Sequence, residues 1–284
     1  MKFKRIIAAG CSFVAGSNIL NAEGINVGHK YRVSKLLADR FNAEEINVAI
    51  PGSGNSYILN TLIDTLYNHS DLSNTLVIIG LSGISRQEVY VNNLEQVRNL
   101  HLFDILKNKS SLSRRADMVT GNVEEEENFY NYVNFHSKYF FNLDYEQFKL
   151  RNKLLMLDSF LKERNISYLI FNSIEDNIID IKDKINYFSF IKNSDEEFEV
   201  SERIPRSDYY GRLKDNGLEV EDTWQHFLMV KHFKDHDNSF LGENRNSKPP
   251  YGPYFCGGHP SPNGNKLLAD LLENYLNSKY SKLI

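Results

Sequence analysis

Four short apolar runs, Lys4 to Ala9, Glu45 to Ala49, Thr75 to Leu81 and Ile166 to Phe171, each end in small or turn-forming residues. Runs of this length that stay apolar rather than alternate suit strands covered on both faces, as in a parallel sheet. Between them the period changes to that of a helix. Tyr31 to Phe41 sets Val33, Leu36, Leu37 and Phe41 on one face, and Ile58 to Tyr67 sets Leu59, Leu62, Ile63 and Leu66 on another. Strand, helix, strand, helix, strand predicts an α/β protein with a doubly wound parallel sheet, because parallel neighbours can be joined only by a long crossover.

The alternation lapses over about residues 85–143. There acidic Glu124 to Glu127 precedes the aromatic stretch Phe129 to Phe141. That length exceeds an ordinary connection and predicts an insertion with its own helices, its aromatics either packing inside it or, as the less common alternative, stacking on sugars or bases. A helix from Tyr145 to Glu163 then directs Phe148, Leu154, Leu155, Leu157 and Leu161 toward the sheet. A second irregular zone, residues 173–255, holds a helical piece at Thr223 to Phe233 and the stiff loop Pro249 to Phe255, a composition suited to covering a site. Ser261 as N-cap and Pro262 as first helical residue open a terminal helix with Leu267, Leu268, Leu271, Leu272 and Tyr275 on one face. The whole, residues 1–284, reads as a single domain with two insertions.

Charge and composition exclude several classes of function. The formal net charge of −4 gives no basic footprint for a nucleic-acid backbone. No apolar run approaches the roughly 20 residues of a membrane span and no signal-peptide core follows Met1, so a cytoplasmic protein is expected. Two cysteines, Cys11 and Cys256, are too few for a disulfide scaffold or a four-cysteine zinc site. His232 and His236 are spaced for one helix face, but Phe233 stands where a zincin needs glutamate, so neither a metal nor another cofactor is expected.

In an open parallel sheet ligands bind beyond the carboxyl ends of the strands, and three of four notable segments occupy such ends. Gly10-Cys11-Ser12-Phe13 would expose a hydroxyl after the first strand, or supply a helix cap. Asn47 to Asn55 carries Gly52 and Gly54, where backbone N–H groups can approach a ligand oxygen, and Asn55, which either caps the next helix or aims an amide at the same space. There is no Walker Lys-Ser/Thr pair and no G-x-G-x-x-G, so the glycines do not make a nucleotide site. Gly80 to Glu88 follows the most apolar strand with Ser82 as a donor and Arg86 and Glu88 as loop supports. Last comes His259-Pro260 after Gly257-Gly258, an imidazole suited to taking and returning a hydroxyl proton near neutral pH.

Taken in order, these blocks resemble the SGNH/GDSL hydrolases over roughly Lys4 to Glu88 and Cys256 to the C-terminus. The resemblance implies a flavodoxin-like three-layer α/β/α sheet and a serine esterase acting on O-acyl groups of a small molecule or glycan. It implies Ser12 as nucleophile, His259 as general base, and an oxyanion hole drawn from the Ser12 and Gly52 N–H groups with Ser82 or Asn55. An acyltransferase on the same fold, or a non-catalytic binding module, are the alternatives it leaves open.

There are three departures from the family pattern. Cys11 stands in place of the usual Asp, Ser82 in place of the third-block Asn, and Gly257 and Cys256 where the acid that orients the histidine is expected. Asp235, Asp237 and Glu243 are the nearest upstream carboxylates to support His259, with a backbone carbonyl as the other option. The sequence leaves the oligomeric state open.

Overall fold

The computed structural model describes residues 3–17, 19, 25–91, 96–101, 126–174, 179–193, 224, 227–228, 255–256 and 259–280. At its centre are four parallel strands, β1 (Arg5–Gly10), β2 (Glu44–Asn47), β3 (Thr75–Leu81) and β6 (Ser167–Asn172), in the order β2-β1-β3-β6. Every residue of β3 is buried, which is why its sequence is apolar without alternation, whereas β2 is only partly covered and carries two glutamates. Register places Ile7 between Ile46 and Val77, and Gly10 beside Gly80. A Cβ on either glycine would come within 2.4 Å of Val14 Cγ2, so the paired glycines make the space into which the short helix α1 (Ser12–Ala15) folds.

The layers follow from handedness. The chain steps outward from β1 to β2 through α2 (Gly28–Tyr31) and α3 (Val33–Phe41). It then returns across β1 to β3 through α4 (Asn55–Asn68). Right-handed crossovers in opposite directions put α3 and α4 on opposite faces, and the onward step to β6 puts its helix, α6 (Leu143–Glu163), on the face of α4. The contacts agree. Lys153 on α6 donates to Ser56 Oγ on α4 at 2.8 Å. On the other face Arg40 of α3 pairs with Asp270 and Glu273 of the terminal helix α8 (Pro262–Tyr280) at 2.5 and 2.9 Å. The result is the doubly wound, three-layer α/β/α sheet expected from the sequence.

Between β3 and α6 lie an antiparallel hairpin of β4 (Arg86–Val91) and β5 (Gln96–His101), and helix α5 (Glu126–Tyr139). The hairpin was not foreseen in the helical insertion. After β6 the described residues hold a 3-10 turn at Ile179–Ile181, helix α7 (Phe190–Asn193), and the two-residue strands β7 (Phe255–Cys256) and β8 (His259–Pro260). Among the described residues no helix is long and apolar enough to cross a membrane.

Several local expectations are corrected. The helical stretch from Tyr31 breaks at Arg32, whose backbone is extended (φ −65°, ψ 147°) while its guanidinium makes two 2.8 Å bonds to Glu45 on β2. Ile63 and Phe148 are not core residues, being 45% and 48% exposed, because the buried faces centre instead on Ile58-Leu59-Leu62-Leu66 and Leu150-Leu154-Leu157-Leu161. Nor are most aromatics of residues 129–141 packing residues. Phe129 and Val133 form the inward stripe of α5, while Tyr132, Phe135, Tyr139 and Phe140 are exposed; at that helix's end the Phe135 ring meets those of Tyr139 and Phe140 at tilted angles.

The far end of α8 is fastened to β6 through Asn186. Its backbone N–H donates to Tyr168 Oη at 2.9 Å, its side-chain amide donates to the Tyr168 carbonyl, and its side-chain carbonyl accepts from Tyr275 Oη at 3.0 Å and from Lys279. Tyr168 Oη in turn donates to buried Asp158. Burial, with the Asp158 bond, pushes the Tyr168 hydroxyl well above the ordinary tyrosine range, so it remains a donor throughout the accessible pH range.

Gly54 ends the loop after β2, against the backbone of the third block. An added Cβ would sit 2.3 Å from the Arg86 carbonyl oxygen, and a backbone atom cannot swing aside as a side-chain end can. Gly54→Ala is therefore expected to cost about 1–3 kcal/mol through forced separation of the two loops, read as a lower urea midpoint. An unchanged midpoint would show that the approach is not tight.

Candidate active site

From β1 the chain leaves toward β2 on one side and later joins β3 on the other, so the carboxyl end of β1 is the point where connections diverge and a crevice opens. Cys11 follows at once as N-cap of α1, with extended backbone and no side-chain cap bond, and is a buried free thiol. Ser12 is the first helical residue and 9% exposed. Ser12 is therefore not the cap of α1, which removes the simplest structural role for that hydroxyl. The turn is closed by Ala15 N–H to the Cys11 carbonyl at 3.0 Å and Ser17 N–H to the Ser12 carbonyl at 3.0 Å.

The second block runs alongside. Val48 and Ile50 N–H groups bond the Ala8 and Gly10 carbonyls at 2.8 and 3.1 Å, carrying contact with β1 three residues past the end of β2. The chain then turns, with Ser53 Oγ donating to the Ile50 carbonyl at 2.8 Å and Gly52 at φ +83°, a conformation that a side chain would strain. Gly52 thus stands two residues beyond the contact with the end of β1. Asn47 braces the same corner, its amide donating to the Val14 carbonyl at 3.0 Å and to Ser34 Oγ at 2.8 Å. In the sequence Asn47 stands out only as the first residue of the second block. Its position at the end of β2, beside the helix that carries Ser12, was the available signal.

Asn55 is the first residue of α4, with Gly54 as its N-cap, and its side chain has a defined task. The amide nitrogen donates to the Ser82 carbonyl at 2.9 Å and the amide oxygen accepts from the Ser82 N–H at 2.7 Å. Both residues are buried, so this two-bond clamp stitches the loop after β3 to the start of α4. Arg86 N–H closes the following turn on the Gly83 carbonyl at 3.2 Å, and the half-buried Arg86 side chain points away along β4 into a cavity described below.

His259 arrives from the other end of the chain. Paired with Cys256 across β7–β8, it brings its ring centroid to 5.6 Å from that of Phe13, the residue after Ser12. Phe13 meets Trp224 edge-on at 5.6 Å, and Trp224 meets Phe171 of β6 at 5.9 Å, so Phe13 lies between the imidazole and a buried indole. Behind His259 the chain is pinned by Ser261, whose hydroxyl accepts from Gly264 N–H at 3.2 Å, the N-cap bond expected from the sequence. Asn265 adds bonds to the Pro260 and Ser261 carbonyls at 3.3 and 3.0 Å.

The structure thus brings Ser12, Gly52, Ser82, Asn55 and His259 to one edge of the sheet, while the Arg86 side chain turns to the neighbouring cavity. Asp235, Asp237 and Glu243, with His232 and His236, lie outside the described residues. The buried carboxylate Asp158 cannot reach His259, being held by Tyr168 at the opposite edge. Among the described residues no group of three or more His, Cys, Asp or Glu side chains is placed to hold a metal ion.

No curated protein matches the chain. Solved structures similar to it include a psychrotrophic esterase from Pseudoalteromonas sp., at 12% identity and TM-score 0.40, with 98% of this chain and 99% of that one covered. A GDSL-like lipase from Bacteroides thetaiotaomicron is 12% identical at TM-score 0.38, covering 97% and 89%. An acetyl xylan esterase from Butyrivibrio proteoclasticus is 11% identical at TM-score 0.42, covering 99% and 65%. One family profile matches the sequence itself, over residues 27–212, a span that includes the second and third blocks and lies between Ser12 and His259. By that match the chain belongs to DUF6071, a family of unknown function.

Proposed function

We propose that the chain is a serine hydrolase of O-acyl esters, with Ser12 as nucleophile and His259 as general base. The observation that carries this reading is the convergence at the crevice. A serine with no capping role follows the end of strand β1, and a histidine from the far end of the chain is packed against the residue next to it. The order of blocks shared with SGNH/GDSL hydrolases supports the same assignment.

In this reading Ser12 Oγ attacks the ester carbonyl carbon while His259 takes its proton. The charge that develops on the carbonyl oxygen meets the Ser12 and Gly52 N–H groups and the Ser82 hydroxyl. Asn55 differs from its sequence-based role as an alternative donor, because both ends of its amide are engaged with the Ser82 peptide, and it acts by holding Ser82 in place. His259 then protonates the leaving alcohol. Water attacks the acyl-enzyme, giving up a proton to His259, and the acid departs as Ser12 recovers its proton. The group that orients His259 is drawn from Asp235, Asp237, Glu243 or a backbone carbonyl. Substrates are small-molecule or glycan esters with a short acyl group such as acetyl.

A fluorophosphonate probe tests the assignment directly. Wild-type protein is expected to be labelled on the peptide containing Ser12, with no labelling in Ser12→Ala and slowed labelling in His259→Ala. Labelling of another residue, or none in the wild type under conditions where the fold is intact, would rule it out.

A further inference from the structure

Beside the Asn55 clamp lies a cavity of about 280 Å³, walled by α4, the turn into β4, and α6. It is just below the usual 300–1,000 Å³ of ligand pockets and holds roughly nine waters' worth of volume. Its walls are unusually polar. Ile84 and Leu150 are the apolar contributors, against the amides of Asn55, Asn60 and Gln87 and five charged side chains.

Much of this polarity is already paired. Lys149 Nζ lies 2.6 Å from Glu146 Oε1, and Lys153 Nζ donates to Ser56 Oγ at 2.8 Å. Two groups are not satisfied in this way. Arg86 Nη1 and Glu88 Oε1 are buried and have no hydrogen-bond partner among the described residues. Leaving such groups dry and unpaired is costly, and burial pushes the Glu88 carboxyl above its usual range despite the attraction of Lys153.

The chemistry of an occupant follows by elimination. An apolar molecule would leave Arg86 and Glu88 unpaired. An anion would face Glu88 and Glu146, and a cation would face Arg86, Lys149 and Lys153. A hydroxyl both accepts and donates, so neighbouring hydroxyls on one small molecule can accept from Arg86 and donate to Glu88 without adding charge. We propose that this cavity is a binding site for a neutral polyhydroxylated ligand of monosaccharide size. Neither Ser12 nor His259 lines this cavity, and its occupancy does not rest on the hydrolase reading.

The test is a titration of the full chain, followed by amide chemical shifts, with glucose, galactose, xylose and arabinose, and with the charged relatives glucosamine and gluconate. At least one neutral sugar is expected to saturate with a millimolar dissociation constant, with shifts at Asn60, Arg86 and Glu88. Both charged relatives should bind at least about fivefold more weakly, and Arg86→Gln and Glu88→Gln should each weaken the neutral sugar about three- to tenfold. Ser12→Ala should bind as wild type does, so a failed hydrolase assignment leaves this result standing. The proposal is overturned if none of the four neutral sugars gives a saturable shift, if a charged relative binds more tightly, or if both variants, folded by their spectra, bind like wild type.

Discussion

Replacing Ser12 by alanine is expected to lower kcat for O-acetyl ester hydrolysis by at least about 10³-fold with little change in KM. In the proposed mechanism the hydroxyl oxygen forms the new bond, so no neighbouring group would replace it, whereas ground-state contacts to the ester would be untouched. His259→Ala should cost a comparable factor, because without a proton acceptor the hydroxyl remains a weak nucleophile. The double variant is the decisive measurement. Two residues that act as a unit lose their contribution once, so the double variant should be no slower than the worse single one, within a fewfold. A double variant slowed by the product of the two factors would mean that Ser12 and His259 act independently, and the pairing would have to be abandoned.

The second large effect concerns stability. Asn55→Ala would remove both side-chain bonds to the buried Ser82 N–H and carbonyl, each worth about 0.5–1.5 kcal/mol net, so a loss of about 1–3 kcal/mol is expected in urea unfolding. Asn55→Asp distinguishes the clamp from simple loss of packing. A carboxylate still accepts from the Ser82 N–H but sets its other oxygen against the Ser82 carbonyl, whereas a protonated acid can donate to it. The neutral form is thus favoured in the folded state and the aspartate pKa rises above its unfolded value. The defect of Asn55→Asp should shrink below the ordinary aspartate range and grow as pH rises through the raised folded value. If Asn55→Ala unfolds within about 0.5 kcal/mol of wild type, the clamp contributes nothing measurable.

How much of this was legible in the sequence differs from element to element. β1 and β3 could be read because burial on both faces keeps a strand apolar along most of its length, and because a small glycine, Gly10 or Gly80, stands at or next to the end of each run. The start of α8 was legible because Ser261-Pro262 is a local signal whose partners are three residues away. Where a partner is distant in sequence, local pattern is silent. Arg32 breaks a helical stretch while it grips Glu45, and Asn55 looked like a donor for a ligand when its two bonds belong to Ser82. Helical period gave the right helices but not the rotation of each about its axis, hence the misplacement of Ile63 and Phe148. In the candidate site, strand ends and order placed the blocks, while the packing of Phe13 between His259 and Trp224 had no local signature.

The terminal helix α8 is fixed at both ends by unlike means: at its start by the Ser261 cap beside His259, at its end by the Tyr275, Lys279, Asn186 and Tyr168 bonds at the opposite edge of the sheet. A helix of 19 residues spans about 28 Å and behaves as a stiff rod. It therefore works as a lever whose fulcrum is the salt-bridged contact of Arg40 with Asp270 and Glu273. Under the proposed mechanism, loosening the distal anchorage is expected to shift His259 as well, so residues at the opposite edge of the sheet would bear on the placing of the general base.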